Sequence, residues 1–107
     1  LQNEATDDLI DEAKGFFTTR FDGVIRVELV DEDTSFWVDG RAQPPAISVA
    51  SPKEVTRQFC LWRIEGADLS LILLHTQGRL ENSVIAGRLR LSGDMSVMMR
   101  LEAVLHG

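Results

Sequence analysis

The side chains able to do acid–base, nucleophilic or metal chemistry are sparse in this chain, and their spacing assembles no recognisable site. The only histidines, His75 and His106, are far apart and have no cysteine or second histidine at ligand spacing, so no metal set is expected. Near His75 the closest carboxylates, Asp68 and Glu81, stand at no recognised offset. The single cysteine, Cys60, lies among Phe59, Leu61 and Trp62 and reads as a small buried hydrophobe rather than a nucleophile. No serine sits in a G-x-S-x-G context. Ser92-Gly93-Asp94 is accounted for by a turn followed by a helix cap. Gly87 and Gly93 are separated by a strand pattern, so neither phosphate-loop spacing is present. The carboxylate pairs Asp7/Asp8, Asp31/Asp33 and Glu65/Asp68 fall on polar stretches, whereas general acid–base work needs a desolvated cleft. Glu65 and Asp68, beside the most apolar segment, come nearest to that condition. The expectation is a protein that is not an enzyme and uses no cofactor and no metal.

What remains is apolar chemistry. Met95, Met98 and Met99 are all the methionines of the chain, gathered within five residues. Unbranched, polarizable methionine fills irregular gaps in cores and is over-used at promiscuous binding surfaces. One reading is ordinary core packing at helical spacing. The other is an adaptable wall for a flexible aliphatic ligand, with Phe16, Phe17, Phe36, Trp37 and Phe59 supplying the rest of a mostly apolar pocket. Composition alone leaves both readings open.

The elements that would position these residues can be read from periodicity. Asp7 to Thr19 has a capping aspartate and an apolar face of Leu9, Ile10, Ala13, Phe16 and Phe17 at helical spacing. Val24 to Val30 alternates strictly, turns through Asp31–Asp33 and continues in Ser35–Asp39, which predicts an antiparallel hairpin. Pro44-Pro45 forces an extended entry into Ala46–Ala50, an expected edge strand. Gln58–Ile64 carries apolar residues on both faces, as a central strand covered twice would. Ala67–Thr76 is an apolar helix with Gly78 as its C-cap, Arg88–Ser92 is a strand, and Met95–Leu105 is a helix capped by Asp94. The order is helix, three strands, strand, helix, strand, helix, which predicts an α+β sandwich of one mixed sheet and a helical layer.

The chain has 107 residues, 44% of them apolar and 26% charged, in keeping with one folded domain behind a polar lead over residues 1–6. The net charge of −6 disfavours nucleic acid and anionic membrane surfaces as partners. A lone cysteine suits a reducing compartment, and a cytoplasmic location is expected. The longest apolar run, Leu69 to Leu74, includes Ser70 and is far too short to span a bilayer.

The segments Gly66–Gly78, Val84–Met95 and Met98–Leu101 resemble the sterol carrier protein type 2 domain family. The resemblance rests on a short apolar helix ending in Gly, then Gly87, the basic–apolar–basic–apolar strand Arg88–Leu91, Gly93-Asp94, and the helix from Met95, in that order and spacing. It covers roughly Phe21 to Leu105 and is specific from Ala67 to Leu101. The Gly78–Gly87 connection is shorter than the family's usual one. The resemblance implies a five-stranded, mixed, mainly antiparallel sheet covered on one face by helices. It also implies an apolar tunnel between sheet and terminal helix that takes a fatty acyl, acyl-CoA, sterol or prenyl lipid. The lipid-binding residues expected from both lines are Phe16, Phe17, Phe36, Trp37, Phe59, Leu73, Val84, Met95, Met98, Met99, Leu101 and Leu105. The alternative is an interaction, dimerisation or accessory domain of this fold with a collapsed core, serving a partner enzyme or a homodimer.

Overall fold

Residues whose side chains alternate between apolar and polar are the ones that pair into the sheet, and the pairing follows their parity. The computed structural model describes residues 4–55, 59–74 and 79–106. Its elements are α1 (Glu4–Phe16), β1 (Val24–Leu29), β2 (Thr34–Asp39), β3 (Ala46–Ser48), β4 (Cys60–Ile64), α2 (Gly66–Leu74), α3 (Arg79–Ile85), β5 (Arg90–Gly93) and α4 (Ser96–His106). The five strands form one sheet in the order β3-β2-β1-β4-β5. The β1–β4 pair is parallel and the other three pairs are antiparallel, so the sheet is mixed and mainly antiparallel as expected.

Parity decides which face is covered. Ile25, Val27 and Leu29 share one face with Phe36, Val38, Cys60, Trp62 and Ile64, and all are buried. The helices lie over this face: Leu9, Ala13 and Phe16 of α1, Leu69, Ile72 and Leu73 of α2, and Val97, Met98 and Leu101 of α4 complete one core. On the opposite face Arg26, Glu28, Trp37 and Leu61 are only half-buried and Arg63 is exposed. The expectation that β4 is covered on both faces is therefore corrected, because no helix of the described residues packs there. Phe59 and Leu61 owe their partial shelter to neighbours within the sheet.

Three further differences have local causes. Helix α1 begins at Glu4, so Asp7 lies inside the helix rather than capping it. Helix α3 was not expected at all; it is seven residues long, with Leu80 and Ser83 as its buried side. Strand β5 starts at Arg90 rather than Arg88 because the amides of Arg88 and Leu89 both donate to the carbonyl of Ser83, at 2.9 and 3.0 Å. Those two residues belong to the end of α3, not to the ladder. Gly78, expected as a C-cap, lies outside the described residues, as does His75.

The sheet end near β1's start is closely fitted. A Cβ on Gly23 would stand 2.8 Å from Cγ1 of Val97, which lets α4 seat against the chain there. The ring of Phe21 lies directly on Gly40, and the amides of Phe21 and Asp22 donate to the Gly40 carbonyl. After β3, residues 53–55 lie at the same end, where Arg41 holds them. That guanidinium clamps Asp39 at 2.8 and 2.9 Å and also donates to the carbonyl of Lys53 at 2.8 Å.

Candidate lipid-binding layer

The methionine helix is placed by its cap. The Asp94 carboxylate accepts from the amide of Ser96 at 3.0 Å and from its hydroxyl, which satisfies donors at the start of α4. These bonds hold the Asp94 carboxyl below its ordinary range, although the group is open to water. Gly93 makes the preceding turn with a φ of +84°, a conformation that favours glycine. The turn brings Val97, Met98 and Leu101 down onto the sheet.

There the helix meets an indole. Trp62 is fully buried on the inner face, and its Nε1–H donates to Sδ of Met98 at 3.2 Å. A thioether is a weak acceptor, and the Cys60 sulfur beside it also takes a hydrogen bond from the Trp62 side chain. Phe17 closes the other side of Trp62 with ring centroids 6.0 Å apart, and Phe16 stands edge-on to Phe17 at 4.8 Å. Cys60 lies in the same layer, and burial pushes its thiol up to about 11, so it carries no thiolate at neutral pH.

Of the twelve residues expected to bind lipid, the structure brings six together between sheet and helices: Phe16, Phe17, Phe36, Leu73, Met98 and Leu101 are all buried there. Leu105 packs half-buried against them. The other five do not join this layer. Trp37 and Phe59 stack on each other at 5.2 Å on the opposite face of the sheet, with the Arg26 guanidinium 5.5 Å above the Trp37 ring. Strand parity puts them there, since both are odd steps away from Val38 and Cys60. Met95, Val84 and Met99 point outward, with exposures of 41%, 38% and 76%.

Sequence reasoning missed Trp62, Leu69, Ile72 and Val97 as members of the layer. The signal was present in the register: Cys60, Trp62 and Ile64 alternate with Phe59, Leu61 and Arg63, so one set had to face the helices. The layer is filled. Trp62, Phe36, Ile25, Leu69, Ile72 and Leu101 are essentially without contact with solvent. Three clefts of about 380, 280 and 290 Å³ among the described residues are lined largely by charged side chains at strand ends, and none of the three reaches between sheet and helices. Among the described residues no group of three or more metal-ligating side chains is found, and no helix is long and apolar enough to cross a membrane.

The comparisons with known proteins agree with this architecture. The sequence model of the family described as "SCP-2 sterol transfer family" matches residues 5–106. A solved structure of sterol carrier protein 2 like 2 from Aedes aegypti has a TM-score of 0.61 at 18% identity, covering 94% of this chain and 96% of that one. Sterol carrier protein 2 from Yarrowia lipolytica, in its apo form, has a TM-score of 0.59 at 11% identity, with 88% and 79% covered. A structure described as a UbiJ-SCP2 ubiquinone synthesis protein has a TM-score of 0.55 at 18% identity, with 95% and 78% covered. A sequence search of curated proteins finds no match.

Proposed function

This chain belongs to the SCP-2 sterol transfer family, and from that membership we propose that it is a non-catalytic binder and carrier of a hydrophobic lipid. The cargo class is fatty acyl, acyl-CoA, sterol or prenyl, held between the inner face of the sheet and α4, and the setting is the cytoplasm. The observation that carries the reading is the family match across nearly the whole chain, laid over a layer whose walls are aromatic, aliphatic and methionine side chains. Each CH₂ buried there contributes about 0.8 kcal/mol, so a long chain recovers the cost of parting a packed layer. Adaptable Met98 is the wall residue best able to repack around cargo. Such a wall discriminates poorly between tails of similar size, and loose specificity follows.

The filled interior favours a second reading, an interaction or accessory domain that needs no ligand in its core, acting as a homodimer or beside a partner enzyme. Likeness to a ubiquinone synthesis protein supports a version in which the chain presents a prenylated lipid to such an enzyme. The two readings separate in one experiment. Delipidated protein is titrated with a fluorescent fatty acid and a fluorescent sterol, with native mass spectrometry to read stoichiometry. Saturable micromolar uptake of either probe at one per chain supports carriage. Absence of uptake at those concentrations overturns it in favour of the second reading.

A further inference from the structure

Leu89 is buried in the core, while Arg88 and Arg90, on either side of it, are exposed and line the same cleft. This cleft, of about 380 Å³, lies where β1 and β4 end, α2 begins and α3 turns into β5. Its lining is Arg63, Arg88 and Arg90 with Glu65 and Asp68, together with Gly87 and the half-exposed Val30. Arg63 is already committed, since its Nε stands 3.3 Å from the Glu28 carboxylate. The other four charges are not: among the described residues neither Arg88 nor Arg90 comes within ion-pair distance of a carboxylate, and Glu65 and Asp68 pair with no cation. Two cations and two anions therefore face one cleft, too far apart to neutralise one another directly.

A ligand that carries both signs satisfies both sets at once. We propose that this cleft binds a zwitterionic phosphate–ammonium head group, with the phosphate on Arg88 and Arg90 and the ammonium on Glu65 and Asp68. Guanidinium forks match phosphate oxygens in geometry, and a compact ammonium suits paired carboxylates. A purely anionic phosphate ester meets the two carboxylates as repulsion, so the site selects against it. Val30 gives the first carbons of an attached chain an apolar contact at the rim. The inference goes beyond the proposed function: the cleft does not reach the layer between sheet and helices, so the head group binds there independently of tail uptake.

The test uses the full chain and five probes. Glycerophosphoethanolamine in solution and phosphatidylethanolamine vesicles present the head group free and on a lipid. Phosphatidylglycerol vesicles present phosphate without ammonium, and an uncharged fluorescent sterol reads tail uptake alone. Shifts of the Arg88, Arg90 and Val30 amide resonances with glycerophosphoethanolamine, absent with glycerol phosphate, are the expected result. Shifts with vesicles only assign the site to a lipid surface, and shifts with the soluble ester as well assign it to the head group wherever it is carried. The R88Q/R90Q variant is expected to weaken phosphatidylethanolamine binding about tenfold or more, as loss of charge-assisted bonds does, and to leave sterol uptake unchanged. The E65Q/D68N variant is expected to reverse the preference toward phosphatidylglycerol. Undiminished binding by R88Q/R90Q, or equal wild-type response to the two vesicle types, overturns the inference while sterol uptake leaves the proposed function standing. Failure of sterol and acyl uptake overturns the proposed function, and the soluble head group still decides the cleft.

Discussion

Replacing Met98 separates packing from hydrogen bonding at the heart of the layer. Met98 is 7% exposed and accepts a hydrogen bond from the fully buried Trp62 indole. Met98→Leu conserves volume and by itself costs less than about 1.5 kcal/mol. It also removes the Trp62–Met98 hydrogen bond, for which about 1 kcal/mol is added, the low end of the range because sulfur is a weak acceptor. Met98→Ala removes the same bond and leaves a cavity beside Trp62 as well, and buried Met→Ala changes cost about 2–5 kcal/mol. The expected order is wild type, then Leu, then Ala, with the Ala variant about 3 kcal/mol or more below wild type. For a domain of this size each kcal/mol lowers Tm by about 4–8 °C. Urea unfolding followed by tryptophan emission measures all three proteins, with unchanged slope confirming that the native state alone is altered. Equal stability of the Leu and Ala variants, or an Ala cost below about 1 kcal/mol, refutes the placement of Met98 against Trp62.

Other substitutions follow from the same geometry. Met99→Gln, at a position 76% exposed, is expected to change stability by less than about 0.5 kcal/mol and to leave lipid uptake unaltered, measured by melting and probe titration. Gly93→Ala places a methyl against the Phe59 carbonyl oxygen at a φ of +84°, and a loss of about 2 kcal/mol or more in urea unfolding is expected. Arg41 and Ser96 hold the carboxyls of Asp39 and Asp94 below the ordinary value of 3.8. Their contribution is present above that value and is lost as pH falls through the lowered ones; Tm against pH should show a shallower acid limb in D39N/D94N. Cys60, with its thiol pushed up to about 11, should react with iodoacetamide at pH 8 only at the rate of global opening.

How much of this was legible depends on which signal carried it. Strand parity is written in the sequence: the Val24–Val30 alternation separates Ile25, Val27 and Leu29, which are buried, from Arg26 and Glu28, which are half-buried on the other face. The same rule applied to Trp37 and Phe59 would have moved them to the outer face, but their aromatic character outweighed their register in the prediction. Helix α3 was hidden because seven residues with two buried side chains make too short a periodic run. Asp31, read as a solvated acid, accepts from the Gly66 amide at 2.9 Å and caps α2 from 35 positions away, which only the folded chain reveals. The three methionines were legible as a helical run and not as a site: Met98 alone enters the layer, since Met99 points outward from α4 and Met95 lies exposed in the turn before that helix.

The central claim is that lipid lodges between the sheet and α4, and intermolecular nuclear Overhauser effects from a ¹³C-labelled fatty acid to the protein test it most directly. The account predicts cross-peaks from the chain to the Met98 methyl, Leu73, Leu101 and the Trp62 indole, with none to Trp37. Cross-peaks confined to Trp37 and Phe59 on the outer face, or to Met99 and Val84 at the surface, would contradict it.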